Sequence, residues 1–267
     1  MKIQFEKYHG TGNDFIMIDG RKNDFPIYDF GLIEGICKSK FGIGADGLIV
    51  ITESEVAAFQ MHYFNADGKP GSMCGNGGRC AVAFAAKYDF FKRNDIIFLA
   101  YDGLHNAQVD VAMAHRKFVD VSLGMSNVSK YEWIGDDIFL DTGSPHYVTF
   151  EHVISNIDVV LAGRKIRNSP KFESVGVNVN FVETGLEEIY VRTYERGVEN
   201  ETLSCGTGVT ASAIACAIKQ KKEGDLYFDV KTAGGQLEVS FTRVKDLFSN
   251  IVLKGPATHV FNGDIEI

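Results

Sequence analysis

The chain has 267 residues, a length that suits two domains at about 150 residues each. Its 45% hydrophobic and 23% charged content is that of a folded globular protein, which excludes disorder and collagen-like sequence. With 27 basic against 35 acidic side chains the net charge is −8, which argues against a nucleic-acid partner, because phosphate neutralisation needs clustered Lys and Arg.

In chain order, the opening MKIQFEK alternates like a strand and not like a signal peptide, and residues 2–8 are predicted as the first strand. No apolar run reaches the roughly 18–20 residues of a membrane span, so the expectation is a cytoplasmic protein with no membrane partner. A helix is predicted over 32–40, a strand over 59–65, a helix over 76–92 (NGGRCAVAFAAKYDFFK) and a strand over 107–113. A strand over 189–195, a helix over 207–222 (TGVTASAIACAIKQKK) and strands over 226–232 and 236–243 follow. Neither long helix has a polar face before its last turn, so each is expected to be buried on all sides with sheet around it. The one basic cluster, Lys219, Lys221 and Lys222, ends the second of them, where the macrodipole favours cations.

The two apolar helices open on nearly the same word, Cys74-Gly75-Asn76-Gly77 and Cys205-Gly206-Thr207-Gly208, 131 residues apart. Half a chain separates the copies, so the sequence reads as an internal repeat with a boundary inside 116–122. Five cysteines are too few and too odd for a secreted disulfide framework. Cys37, Cys80 and Cys216 fall in apolar helical stretches and read as small buried hydrophobes.

Cys74 and Cys205 read differently. A cysteine at the first turn of a helix meets unsatisfied N–H groups and the positive dipole end, which favour the thiolate. The adjoining glycines let backbone amides approach a carboxylate beside the sulfur. Two such turns facing one carbon are what a racemase or epimerase needs, with one thiolate to remove a proton and one thiol to return it on the opposite face. The carbanion's charge would pass into the carboxylate held by those amides, and no cofactor or metal is demanded. A Cys-dependent transferase would leave the second word unexplained, and a pure amino-acid-binding module would leave both.

Competing motifs are weaker. Gly206-Thr-Gly-Val-Thr-Ala211 fits G-x-G-x-x-A, but the polar stretch 197–204 separates it from the preceding strand, unlike a dinucleotide loop. There is no P-loop or G-x-S-x-G word, and none of the seven histidines has metal-ligand spacing, so no metal is expected.

Seven words, the two cysteine words among them, carry a resemblance: His9-Gly-Thr-Gly-Asn-Asp-Phe15, Gly42-Ile-Gly-Ala-Asp46, Phe64-Asn-Ala-Asp-Gly68, Met73-Cys-Gly-Asn-Gly-Gly-Arg-Cys80, Gly143-Ser-Pro-His146, Tyr194-Glu-Arg-Gly197 and Ser204-Cys-Gly-Thr-Gly208. In this order they resemble the diaminopimelate epimerase family. The resemblance implies cofactor-independent conversion of LL-2,6-diaminopimelate to the meso isomer, towards lysine and peptidoglycan precursors. It implies an α+β fold of two pseudo-symmetric domains, each a mostly antiparallel sheet wrapped around a central buried helix. The last residues would return to the first domain, giving 1–117 with 256–267 and 118–255.

By position, the resemblance makes Cys74 and Cys205 the acid/base pair, with Gly75, Asn76, Gly206 and Thr207 on the carboxylate at the reacting carbon. It gives Asn65, Asn178, Glu195 and Arg196 to the distal amino-acid head, Asn13 to a further substrate contact, and to His146 and Glu195 a part in tuning the thiols. A homodimer is its implied assembly. Two positions depart from some members: Gly47 stands for a glutamine and Ser144 for an asparagine. A serine hydroxyl still donates a hydrogen bond, with shorter reach. The rival substrate is proline or hydroxyproline, processed on the same fold by the same two-thiol chemistry, but Glu195-Arg196 suits a substrate with a second head.

Overall fold

The computed structural model describes residues 2–22, 24–71, 73–185 and 188–267. The chain divides into two compact units, Met1–Leu123 with Gly255–Ile267, and Gly124–Lys254.

The first unit runs β1 (Lys2–Gly10), β2 (Asn13–Asp19), α1 (Phe30–Cys37), β3 (Gly47–Thr52), β4 (Gln60–Asn65), α2 (Gly75–Lys87), β5 (Asp95–Ala100), β6 (Gly103–Val109) and β7 (Phe118–Gly124). These strands pair in chain order, and residues 255–266 of the chain's last strand pair with both β7 and β1, closing the sheet on itself. Pairs are antiparallel except β2/β3, joined through α1, and β4/β5, joined through α2. The crossover helices lie on opposite faces. Helix α2 is enclosed with Phe15, Met17, Ile49 and Ile51, whereas α1 packs Ile33 and Ile36 against Ile16, Ile18, Leu48 and Val50. Strands β2 and β3 are therefore buried on both faces, which is why they read as unbroken apolar runs.

The second unit repeats this plan with β8 (Tyr131–Ile134), β9 (Asp137–Asp141), β10 (Pro145–Phe150), α3 (Val159–Arg167), β11 (Asn178–Thr184), β12 (Glu188–Glu195), β13 (Asn200–Thr202), α4 (Gly206–Lys219), β14 (Gly224–Thr232), β15 (Gly235–Val244) and β16 (Leu247–Glu266). The order is β8-β9-β10-β11-β12-β14-β15-β16, with β13 appended to β12. Here β10/β11 are parallel through α3, and β12/β14 through α4. Helix α4 packs among Val148, Val182, Val191 and Val239, and α3 joins a separate cluster around Val159, Phe172 and Tyr194. The expected α+β fold, two pseudo-symmetric mostly antiparallel sheets each around a buried helix, is the observed one.

Element ends differ from expectation for local reasons. The helices expected to reach residues 92 and 222 stop at Lys87 and Lys219. Asp89 and Lys221 turn the chain at φ of 58° and 52°, with Phe90 N–H bonded to Ala85 O and Lys222 N–H to Ala217 O. Both ends are Schellman motifs without the glycine that advertises one. The expected helix over 32–40 begins earlier, at Phe30, because the Asp29 side chain caps it by accepting from Leu32 N–H, and it ends as Lys38 turns extended. The strand expected over 107–113 ends at Val109; Asp110 caps a short 3-10 turn, Val111–Met113. Helix α3, nine residues capped by Asp158, lies outside the elements expected from the sequence.

Candidate active site

In the first unit, β1 and β2 are joined by Thr11-Gly12, both at positive φ (50° and 91°), a tight I′-like turn. A β-branched residue is strained there, and Thr11 is buried and held: the Arg79 guanidinium donates to its Oγ1 at 3.1 Å. Arg79, on α2 and fully buried, also donates to Asn76 Oδ1 (3.0 Å), Gly75 O (3.3 Å) and Pro256 O (3.3 Å). These acceptors offset the cost of burying the cation, which burial still makes easier to deprotonate than an exposed arginine. Gly10 is glycine because a Cβ would sit 2.8 Å from Asn76 O.

The turn sets Asn13 at the head of β2. Its Nδ2 donates to Asp46 Oδ2 at 2.8 Å, which aims Oδ1 at Cys74, and the Cys74 thiol donates to Oδ1 at 3.8 Å. Cys74 is the N-cap of α2, in extended conformation (φ −97°, ψ 129°), and its carbonyl takes the first helical bond, from Gly78 N–H at 2.7 Å. The amides of the first turn have no acceptor inside the helix. On the same edge of the sheet, Phe15, Gly47 and Asn65 form one row across β2, β3 and β4. Asn65 Oδ1 accepts from the Tyr63 hydroxyl at 2.9 Å. A Cβ on Gly47 would lie 2.6 Å from Phe64 O and 2.7 Å from the Tyr63 ring, so this backbone leaves no room for a side chain there.

The second unit builds the counterpart from the corresponding strand ends. Cys205 is the N-cap of α4 (φ −118°, ψ 111°), and Val209 N–H bonds its carbonyl at 2.8 Å. Its Sγ lies 3.5 Å from Thr207 Oγ1. Thr207 Oγ1 is 2.9 Å from His146 Nε2, and Ser144 Oγ is within 3.0 Å of Nε2 and 3.2 Å of Thr207 Oγ1. Behind the ring, Asn180 Nδ2 donates to His146 Nδ1 (3.0 Å) and to Tyr147 O (3.3 Å), while Thr193 donates to Asn180 Oδ1 (2.9 Å). Nδ1 is thus an acceptor, and the neutral ring carries its proton on Nε2, facing the Thr207 and Ser144 hydroxyls. Burial, reinforced by the Arg196 charge, pushes His146 down to about 3, so it is neutral at physiological pH.

Asn178, on β11, is buried with its carboxamide engaged: Oδ1 accepts from Arg196 N–H (2.9 Å), and Nδ2 donates to Ser144 Oγ and Pro145 O (3.2 Å each). Arg196 Nη1 donates to Val175 O (3.0 Å), and Thr202 donates to Glu195 Oε2 (2.9 Å). Thus Cys74, Gly75, Asn76, Asn13 and Asn65 gather at one sheet end of the first unit, and Cys205, Gly206, Thr207, His146, Asn178, Glu195 and Arg196 at that of the second. The carboxamides of Asn76 and Asn178 face protein partners. Sequence reasoning passed over Tyr63, Arg79 and Asn180; only the Asn178-x-Asn180 alternation marked the last of these. Cys37, Cys80 and Cys216 are buried, and burial pushes their thiols up to about 11, 12 and 12. Among the described residues, no three His, Cys, Asp or Glu side chains are grouped to hold a metal ion, and no helix is long and apolar enough to cross a membrane.

The family model for diaminopimelate epimerase matches residues 5–127 and 138–260. The chain is 48% identical to a diaminopimelate epimerase of Flavobacterium psychrophilum over 98% of this chain and 100% of that protein. It is 38% identical to one from Chlorobaculum tepidum over 97% and 99% of the respective chains. Among solved structures, a PhzF-family phenazine biosynthesis protein of Bacillus anthracis aligns with a TM-score of 0.76 at 13% identity, covering 100% of both chains. A hydroxyproline epimerase from Agrobacterium vitis aligns with a TM-score of 0.71 at 14% identity over 99% of this chain and 91% of that one. At those identities the structural likeness speaks for the fold alone.

Proposed function

The chain belongs to the diaminopimelate epimerase family and is therefore an amino-acid epimerase, an isomerase, and we propose that it interconverts LL- and meso-2,6-diaminopimelate with Cys74 and Cys205 as its acid/base pair and no cofactor. The observation that carries this reading is the matched pair of N-cap cysteines, each heading a buried helix whose first-turn amides are oriented for an anion.

The hydrogen-bond partners support one resting state. Asn13 offers Cys74 an acceptor, which suits a thiol. Thr207 accepts from the His146 Nε2–H and so has its own proton to give to Cys205, which suits a thiolate. In one direction the Cys205 thiolate takes the α-proton and becomes a thiol, the electron pair passes into the α-carboxylate, and Cys74 returns its proton to the opposite face and becomes the thiolate. The reverse reaction exchanges the roles. First-turn amides of Gly75, Asn76, Gly206 and Thr207 hold the carboxylate as its charge grows, the term expected to lower the barrier most. Asn65, Glu195 and Arg196 receive the distal head, with Asn178 seating Arg196. Product formed this way feeds lysine and peptidoglycan precursor synthesis in the cytoplasm.

The test is incubation of LL-diaminopimelate in deuterated water, following stereochemistry and α-deuterium. Wild type is expected to form the meso isomer with solvent deuterium at the inverted centre. Cys74→Ala and Cys205→Ala are each expected to lose epimerisation by roughly 10²–10⁴-fold, the range of a positioned acid or base. Undiminished turnover in either variant overturns the two-thiol assignment; turnover of proline or hydroxyproline in place of diaminopimelate overturns the substrate.

A further inference from the structure

We propose that Tyr63 is the positioning residue for the distal half of the substrate: its hydroxyl fixes the Asn65 carboxamide so that Nδ2 is presented as a donor to the distal carboxylate. The inference rests on the reading above, in which Asn65 grips that end of diaminopimelate.

Its basis is the local sheet geometry. Tyr63 and Asn65 are i and i+2 on β4, so they share a face, and Gly47 on β3 pairs directly with Asn65. A side chain at position 47 would occupy the diagonal between them. With glycine there, the Tyr63 ring leans across the empty position, and its hydroxyl reaches Asn65 Oδ1 at 2.9 Å. Gly71 bounds the ring on another side: a Cβ there would lie 2.6 and 2.8 Å from Tyr63 ring carbons and 3.1 Å from Asn65 Nδ2. Gly71 N–H is also bonded to Tyr63 O at 3.0 Å. The fully buried Phe15 closes the stack, edge to face with the tyrosine at 6.0 Å between centroids. Two glycines with no space for a methyl and one aromatic neighbour therefore hold the phenol in a single orientation.

The consequence concerns which end of the amide meets ligand. An unrestrained carboxamide presents its oxygen or its nitrogen with similar ease. A donor on Oδ1 breaks that symmetry and leaves the nitrogen end for an anion. An exposed asparagine on a strand end thus becomes a directed carboxylate donor, at the cost of one hydroxyl placed by two absent side chains.

The test is a double-mutant cycle on LL-diaminopimelate turnover using Tyr63→Phe, Asn65→Ala and both together, with thermal unfolding as the check on folding. Tyr63→Phe is expected to raise KM about tenfold, the scale of one hydrogen bond, with kcat held within about twofold. Asn65→Ala is expected to raise KM at least as much, and adding Tyr63→Phe to it to change KM by less than about twofold, because the tyrosine then has nothing to orient. Unchanged KM in Tyr63→Phe, or a full additional loss in the double variant, overturns the proposal. If Tyr63→Phe unfolds early, Asn65→Asp provides the second reading: its carboxylate can still accept from the Tyr63 hydroxyl but has no Nδ2 donor for the distal carboxylate, so KM must rise at least about tenfold, and an unchanged KM overturns the proposal. Wild type that turns over diaminopimelate while Tyr63→Phe is neutral removes only this inference; wild type that does not turn it over removes the assigned function and this inference together.

Discussion

His146 has no exposed surface, and its ring nitrogens are engaged with Asn180 on one side and with Thr207 and Ser144 on the other. Burial holds its pKa near 3, against 6.5 for an ordinary histidine, so between those values the unfolded chain binds a proton that the folded one refuses. Stability from this group is therefore full above pH 6.5 and is lost as pH falls towards 3, at up to about 1.4 kcal/mol per pH unit. His146→Asn is expected to remove that part of the acid sensitivity. Denaturant unfolding of both proteins between pH 7 and pH 4 checks it, and equal slopes would contradict the buried neutral ring. What the sequence disclosed at this scale was uneven. Cys74 and Cys205 stood out because the chain spells the same word twice, and His146 because it closes a short motif. The partners that fix them, Asn180 behind the imidazole and Arg79 beneath Thr11, act across strands and turns 34 and 68 residues away, where no local pattern reports them.

At the level of elements, α2 and α4 were legible because both lack a polar face, and a helix without one has to be enclosed. Their ends were not legible, because the stop signal is conformational. Lys221 is exposed and sits at φ 52°, a region that costs a residue with a Cβ roughly 1–2 kcal/mol. Lys221→Gly relieves that strain and gives back part of the gain as unfolded-state entropy, so a net stabilisation of about 0.5–1 kcal/mol is expected. Lys219→Gly, two residues earlier and inside the helix, should act in the opposite direction by about 1 kcal/mol. It also removes the ammonium 4.0 Å from the Phe150 ring. Chemical denaturation of the two single variants decides the matter: the same sign for both would mean that α4 does not end where the Schellman bonds place its end. The short 3-10 turn after β6 and the nine-residue α3 escaped sequence reading for a related reason, since Asp110 and Asp158 mark caps only once the neighbouring backbone is known.

For the whole molecule, the repeat extends beyond the two cysteine words to the topology. Each unit carries two parallel crossovers, the first through an outer helix and the second through the buried helix headed by a cysteine. Corresponding strand ends carry the candidate site, with Gly47 and Asn178 beginning β3 and β11, and Asn65 and Glu195 ending β4 and β12. Sequence similarity between the halves is nearly erased outside the cysteine words, because a sheet asks only for alternation and burial at most positions. The units differ in how the last strand is used. Its first part pairs with β15, and from Gly255 onward it pairs with β7 and then along β1 as far as Lys2, so the first unit's sheet is closed by residues that come last in the chain. Ala257 is buried there among the residues around α2, and Pro256 O accepts from the buried Arg79. Removing 256–267 thus exposes one edge each of β1 and β7 and strips an acceptor from a buried cation, a combination that ordinary frayed termini do not involve. Thermal unfolding of this truncation is expected to shift down by on the order of 10 °C or more, with the site around Asn13 and Cys74 loosened because Arg79 also holds Thr11 and Asn76. A shorter truncation of 265–267 gives up the register pairs with Ile3 and Lys2 and the packing of Ile265 and Ile267 against the cluster around Ile3, Ile16 and Ile18, but leaves β7 and most of β1 paired, and should cost clearly fewer degrees than the longer one. If both truncations melt alike and close to the full chain, the closing strand does not hold the first unit together, and Arg79 must draw its support from Gly75, Asn76 and Thr11 alone.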